Sequence, residues 1–228
     1  MIGAAVVAIA AGGYAIARET PLFAIHRVDV SGGSKAVRTQ VETALAPLVG
    51  RSLVGLDGAD VLRRTEALPT VISATYDRAF PNTLRVTIVP ERPVALLRDG
   101  PAAWIVSERG RVMRPIAVAA APATLPRIWV ALKTVRAGEL LPPTLGGTLT
   151  RVLTAAGSFG SRVGTASFVN GQLVFHLHSG LVLVLGTPSD IALKLAVATK
   201  VLQQLPSGTR TVDVSVPSRP VTSYSISS

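Results

Sequence analysis

Cysteine is absent from the 228 residues. Disulfides, thiolate metal sites, cysteine nucleophiles and a lipoprotein anchor are thereby excluded. With a hydrophobic content of 48%, the chain still has enough core material to fold without such staples. Aromatic residues make up only 4%, too few for the stacking platforms of single-strand nucleic-acid binders. Acidic residues are also scarce, 13 against 23 Lys and Arg, and the net charge is +10. The excess favours an anionic surface, either phospholipid head groups or an acidic protein face. The basic residues are nearly all Arg and spread along the chain without a dense block, so nucleic acid is not the expected partner.

Catalytic signatures are missing as well. No G-x-S-x-G occurs, and Gly157-Ser158-Phe159-Gly160-Ser161 has its glycines in the wrong register for a nucleophile elbow. There is no phosphate-cradling G-x-x-x-x-G-K-[ST]. The few carboxylates, several of them at cap positions, offer no convincing pair for glycan hydrolysis. His176 and His178 share a strand face and could offer two imidazoles to a metal, but no third ligand lies near them in sequence. Ordinary solvent-side alternation is the plainer reading. Trp104 and Trp129 read as core or sheet-surface packing. No catalytic, cofactor-binding or metal-binding residue is expected, and no cofactor.

The run Ile2–Ala17 carries no charge and ends at Arg18 and Glu19. Sixteen residues at about 1.5 Å rise span ~24 Å, somewhat short of a ~30 Å hydrocarbon core. Residues 1–19 are read as a transmembrane anchor. Two alternatives stand beside it: a signal peptide cleaved after Ala15-Ile16-Ala17, and a buried helix, against which Gly12-Gly13 argues.

Beyond Pro21, local signals give an order of elements. A short strand at Val28–Ser31 ends at Gly32-Gly33. Val37, Val41, Ala44, Leu45 and Leu48 recur at helical spacing behind Ser34, a plausible N-cap. Asp57, with Asp60 three residues on, can cap a second helix that stops before Pro69. Val71–Ala79 and the alternating Leu84, Val86 and Ile88 read as two strands around a tight turn at Phe80-Pro81-Asn82-Thr83.

Short strands follow Pro90 and Pro93: Val94–Leu97, Trp104–Ser107 and Val112–Arg114, with a hairpin turn at Glu108-Arg109-Gly110. Ile116–Pro126 reads as an irregular connection, and another strand lies near Arg127–Ala131. Pro142-Pro143 can start a helix reaching Ala155. Three strands then lie at Ala166–Val169, Leu173–His178 and Leu181–Leu185, the first two joined by Asn170-Gly171, a strong hairpin signal. Thr187-Pro188-Ser189-Asp190 reads as a capping box. The helix behind it carries an apolar stripe of Ile191, Leu195, Ala198, Leu202 and Leu205, with Lys194 and Lys200 off the stripe. Thr211–Val216 reads as the last strand.

These segments resemble the FtsQ/DivIB family. The likeness is carried by Phe23-x-Ile25-x-x-Val28-x-Val30-x-Gly32, by Leu56-Asp57, and by Leu68-Pro69-x-Val71 with Ala74 and Arg78. It continues through Phe80-Pro81-Asn82-Thr83-Leu84, Val86 and Val89 to Glu91-Arg92-Pro93-Val94-Ala95, and closes on Val212-Asp213-Val214-Ser215-Val216-Pro217. Thr70 stands where the family usually has an aromatic residue.

The resemblance implies an α+β fold: an N-terminal transmembrane helix, a POTRA domain (β-α-α-β-β) at 20–90, a mostly antiparallel β domain with two helices at 91–217, and a flexible tail at 218–228. It implies a non-enzymatic, single-pass scaffold of the plasma membrane at the division septum, N-terminus cytoplasmic and bulk extracytoplasmic. The implied partners are FtsB-like and FtsL-like proteins, and through them the septal peptidoglycan synthase machinery. Another exported POTRA-like binding module is the alternative.

The partner surface is expected at an exposed sheet edge running from Thr211 to Thr222, because a strand with no successor has nothing to cover its outer side. Val214, Val216, Arg219, Val221 and Thr222 are the candidate partner-binding residues. Pro217 and Pro220 would stop further pairing, and Lys194 and Lys200 would extend a positive rim.

Overall fold

The computed structural model describes residues 21–129, 135–143 and 147–224. The expected membrane segment, residues 1–19, lies outside them, as do residues 130–131, 144–146 and 225–228. Among the described residues no helix is long and apolar enough to cross a membrane. The chain divides into two units between Glu91 and Arg92.

The first unit is built from β1 (Arg27–Ser31), α1 (Lys35–Leu45), a 3-10 turn (Ala46–Leu48), α2 (Gly58–Glu66), β2 (Val71–Ala79) and β3 (Thr83–Pro90). Both helices start where the sequence signals them. The Ser34 hydroxyl accepts from the Val37 N–H, and the Asp57 carboxylate accepts from the Ala59 N–H at 2.9 Å. Gly32 lets the chain leave β1. Its φ is +88°, and a Cβ there would sit 2.2 Å from the Ile88 carbonyl oxygen.

The sheet order is β1-β3-β2, with β3 parallel to β1 and antiparallel to β2. Val41, Leu45 and Leu48 from the first helical segment and Val61 from α2 bury against Leu84, Val86 and Ile88 of β3. Thr70 is buried as well, and its hydroxyl donates to Gln40 Oε1 at 2.8 Å, so a polar pair fills that place. The Phe80–Pro81 peptide between β2 and β3 is cis. Asp60 takes no part in capping. It accepts from Arg64 Nε at 2.9 Å and from Arg63.

The second unit holds β4 (Pro93–Asp99), β5 (Ala102–Ser107), β6 (Val112–Pro115), β7 (Arg127–Trp129), α3 (Gly147–Ala156), a 3-10 segment (Gly157–Arg162), β8 (Val163–Val169), β9 (Gln172–Leu177), β10 (Val182–Gly186), α4 (Ile191–Leu202), β11 (Thr209–Asp213) and β12 (Val221–Tyr224). They form one nine-stranded sheet, in the order β12-β11-β10-β9-β8-β7-β4-β5-β6. The pairs β4–β7, β7–β8 and β10–β11 are parallel and the others antiparallel.

Alternation explains the core. Leu173, Phe175 and Leu177 of β9 and Leu183 and Leu185 of β10 point to one face, where Leu149, Val152 and Leu153 of α3 and Ile191, Leu195 and Ala198 of α4 cover them. A smaller cluster, Leu96, Ala103, Ile105 and Met113, packs with Ile116 and Ala121. The turn from Asn170 to Gly171 has φ +51° and +77°, the pattern of a two-residue hairpin.

The helix expected from Pro142-Pro143 is described from Gly147 to Ala156, and the Gly147 N–H donates to the Pro142 carbonyl at 3.0 Å. Two expectations for the second unit need correction. Thr187–Asp190 is no capping box: α4 starts at Ile191, and Asp190 has φ +53° with no side-chain cap bond. Lys194 does not lie off the apolar stripe. It sits three residues from Ile191 and four from Ala198, so it shares their face and is only 2% exposed. Its ammonium donates to the Thr187 carbonyl at 2.8 Å, which satisfies the charge and ties down the segment that was expected to cap the helix.

Candidate partner-binding edge

The two edges of the nine-stranded sheet differ. Beyond β6, the chain returns and pairs with it: the Val112 N–H donates to the Glu139 carbonyl at 2.8 Å, and the Gly138 N–H donates to the Val112 carbonyl at 2.7 Å. Arg111 and Leu140 form an antiparallel bridge in the same place. That edge is covered at its start, at Arg111 and Val112. On the other side β12 is the outermost strand, and among the described residues nothing pairs with its outer flank. In an antiparallel strand alternate residues turn their N–H and C=O groups away from the neighbour, so β12 presents unpaired backbone groups to an incoming strand.

The position of β12 is set by what precedes it. β11 lies parallel to β10, and α4 supplies the crossover that a parallel neighbour requires. Past Asp213 the chain stays close to β10: the Val214 N–H donates to the Val184 carbonyl at 2.9 Å, and the Asp213 carboxylate accepts from the Ser215 N–H at 2.8 Å. Gly186 makes this approach possible, since a Cβ there would lie 2.7 Å from Ser215 Cβ. Val216-Pro217-Ser218-Arg219 is then a β-turn, closed by the Arg219 N–H on the Val216 carbonyl at 2.9 Å, with Pro217 at the second position it favours. After Pro220 the chain returns as β12, with Val212↔Thr222 and Asp213↔Val221 in register.

The expected edge is therefore two strands and a turn. Thr211 and Val212 lie inside the sheet, sandwiched between β10 and β12. Pro217 and Pro220 lie in the reversal before the edge strand, so they do not terminate it. The segment 218–228 is not simply a flexible tail, since residues 221–224 are a strand.

The five candidate residues divide accordingly. Val214 is fully buried with its N–H occupied, so it is a core residue; its alternation with Val212 toward the core face leaves it no access to a partner. Val216 and Arg219 are exposed on the turn. Val221, 60% exposed, and Thr222, half-buried, lie on the edge strand itself. Tyr224, 52% exposed at the end of β12, was missed. The available signal was the β-prone Val-Thr-Ser-Tyr run, which a Ser-rich composition hid. With Lys194 buried, Lys200 and Arg210 are the exposed cations on α4 and β11. No acid occurs from Val214 to Tyr224.

His176 and His178 are both exposed. Among the described residues no group of three or more His, Asp or Glu side chains could hold a metal ion.

Comparison with known proteins points in one direction. Residues 23–91 match the family described as POTRA domain, FtsQ-type. Across 99% of its length the chain is 28% identical to the cell division protein FtsQ of Streptomyces venezuelae, covering 83% of that protein. It is 33% identical to FtsQ of Mycolicibacterium smegmatis over 84 residues, a quarter (25%) of that relative. It is 31% identical to FtsQ of Mycobacteroides abscessus over 102 residues, or 33% of that relative. The major extracytoplasmic domain of the division protein DivIB from Geobacillus stearothermophilus aligns with 51% of this chain and 98% of its own, at 15% identity and a TM-score of 0.35.

Proposed function

We infer from this chain's membership of the FtsQ/DivIB family of cell-division proteins that it works as a membrane-anchored, non-enzymatic scaffold of the division machinery. Residues 1–19 anchor it in the plasma membrane, and both units stand outside the cytoplasm at the septum. Its partners are FtsB-like and FtsL-like proteins, through which it helps recruit and regulate septal peptidoglycan synthesis.

The observation that carries this reading is the asymmetry of the nine-stranded sheet among the described residues, with β6 paired at Val112 by the returning chain and β12 uncovered. A protein that leaves one edge strand bare, and exposes Val221 and Tyr224 along it, offers the geometry for strand addition. Backbone hydrogen bonds would supply register. Val216 and Arg219 on the preceding turn would meet side chains flanking the added strand, and Arg219, Arg210 and Lys200 suit a partner segment carrying Asp or Glu, with Asp213 engaged by the Ser215 N–H.

The test is a pull-down of the FtsB-like protein by the full chain carrying Val221→Glu. Binding is expected to weaken about tenfold or more, because a carboxylate would be placed in the strand–strand contact. The circular dichroism spectrum should stay unchanged. Unaltered binding by a folded Val221→Glu protein would remove β12 as the site.

A further inference from the structure

We propose that the first unit docks on the membrane surface through an apolar patch at the Phe80 turn, flanked by Arg27 and Arg51, and that the occupant of this patch is the head-group region of an anionic bilayer. The proposal rests on the reading of residues 1–19 as an anchor and adds to it a second point of contact.

Three chain segments meet at one end of the three-stranded sheet. The Ile25 N–H donates to the Arg51 carbonyl at 2.8 Å, the Leu53 N–H donates to the Phe23 carbonyl at 2.8 Å, and the His26 N–H donates to the Asn82 carbonyl at 2.9 Å. Segments 22–28, 49–53 and 78–84 are thus held together by backbone bonds, independently of any ligand. On this platform the Phe23 and Phe80 rings meet edge to face, 5.8 Å between centroids at 88°. The pair leaves Phe80 58% exposed, and Leu22, the chain neighbour of Phe23, is 65% exposed. Val49 is a further exposed apolar side chain on the middle segment. Large apolar groups packed on one another yet open to water need an occupant.

Charge selects the occupant. The three segments contain no Asp or Glu, while they expose His26, Arg27 and Arg51; Arg78, half-buried, donates to the Leu56 carbonyl at 2.7 Å and is not one of the free cations. The carboxylates nearest Arg51, Asp57 and Asp60, are engaged: Asp57 caps α2, and Asp60 holds Arg63 and Arg64. An apolar patch flanked by Arg27 and Arg51 matches the interface of a bilayer containing anionic lipid, where rings and aliphatic groups sit at the acyl boundary and guanidinium groups on the phosphates. Chain continuity points the same way. Leu22 follows the uncharged run Ile2–Ala17 by only four residues, so if that run is in the membrane, this end of the sheet cannot be far from its surface.

The experiment uses the full chain in vesicles of 30% anionic and 70% zwitterionic lipid. The lack of native cysteine allows a single environment-sensitive probe at Val49→Cys, with Lys35→Cys beyond the other end of β1 as the reference. The expected result is at least about threefold stronger quenching of the Val49 probe than of the Lys35 probe by nitroxide-labelled head groups. Leu22→Ser with Phe80→Ser should erase the difference. Arg27→Gln with Arg51→Gln, surface changes that spare the core, should reduce it in anionic vesicles, as should high salt, and leave it unchanged in purely zwitterionic ones. If the chain floats with vesicles but the two probes are quenched equally, or if Leu22→Ser with Phe80→Ser changes nothing, the docking is refuted and the anchor stands. Failure of the chain to float at all would overturn both.

Discussion

The last strand of each unit is placed in opposite ways. In the first unit β3, the last to be made, is inserted between β1 and β2 and carries Leu84 and Val86 into the centre of the core. In the second unit β12 is appended outside β11 and buries none of its residues fully. An inserted strand completes the hydrogen bonding of both neighbours, so the fold depends on it. An appended strand leaves half of its own backbone groups unused, and what it offers is a surface. The contrast gives β3 a structural role and leaves β12 as the surface on which the proposed contact rests.

Substitutions can break this contrast or sharpen it. The largest stability effect is expected at β3. Leu84→Ala should destabilise the first unit by about 3 kcal/mol, read as a lowered urea midpoint, since Leu84 has no exposed surface. A cost well below about 1 kcal/mol would mean that the inserted strand is less central than its position implies. Next comes Lys194→Ala on α4. Truncating this buried side chain empties its place beside Ile191 and Ala198 and takes the ammonium away from the Thr187 carbonyl, and about 2 kcal/mol should disappear from the second unit in the same measurement.

A smaller effect is expected at Asp60. The hydrogen bond from Arg64 holds its carboxyl below the ordinary aspartate value of 3.8, against the opposing effect of burial. A depressed value means that the paired carboxylate stabilises the fold at neutral pH, and that this share is lost as the pH falls below 3.8 and through the folded-state value. Asp60→Asn should therefore lower the melting temperature slightly at pH 6. It should also flatten its fall between pH 4 and 2. An unchanged acid limb would show that Asp60 is not the group titrating. The smallest effect belongs to β12: Val221→Glu should shift the melting of the second unit by no more than about 0.5 kcal/mol, because the side chain is already in water.

The first unit was the more legible in the sequence because its signals are local. Ser34 and Asp57 announce their helices within three residues, and strict alternation at Leu84, Val86 and Ile88 announces β3. The hairpin at Asn170-Gly171 was legible for the same reason. Errors in the second unit arose where position depends on distant chain. A Lys at i+3 from Ile191 looks like a surface residue until a carbonyl from Thr187 is found to satisfy it. Thr187-x-x-Asp190 has cap residues at suggestive spacing, but that stretch is bound to Lys194. The sheet edge lies about one strand later than the sequence suggests, because Pro217 and Pro220 look like terminators yet frame a turn that lets the chain pair once more. Nor does periodicity reveal that β10 and β11 run parallel, since the crossover helix between them looks like any amphipathic segment.

Amide hydrogen exchange of the full chain, alone and with the proposed FtsB-like partner, tests the central proposal most directly. In the free protein the amides of Val221–Tyr224 should exchange faster than those of β11, because half of them face solvent. With the partner bound, protection should rise across Val221–Tyr224 and stay constant in β3 and α2. If β12 exchanges at the same rate in both states while protection appears elsewhere, the open edge is not where the partner binds.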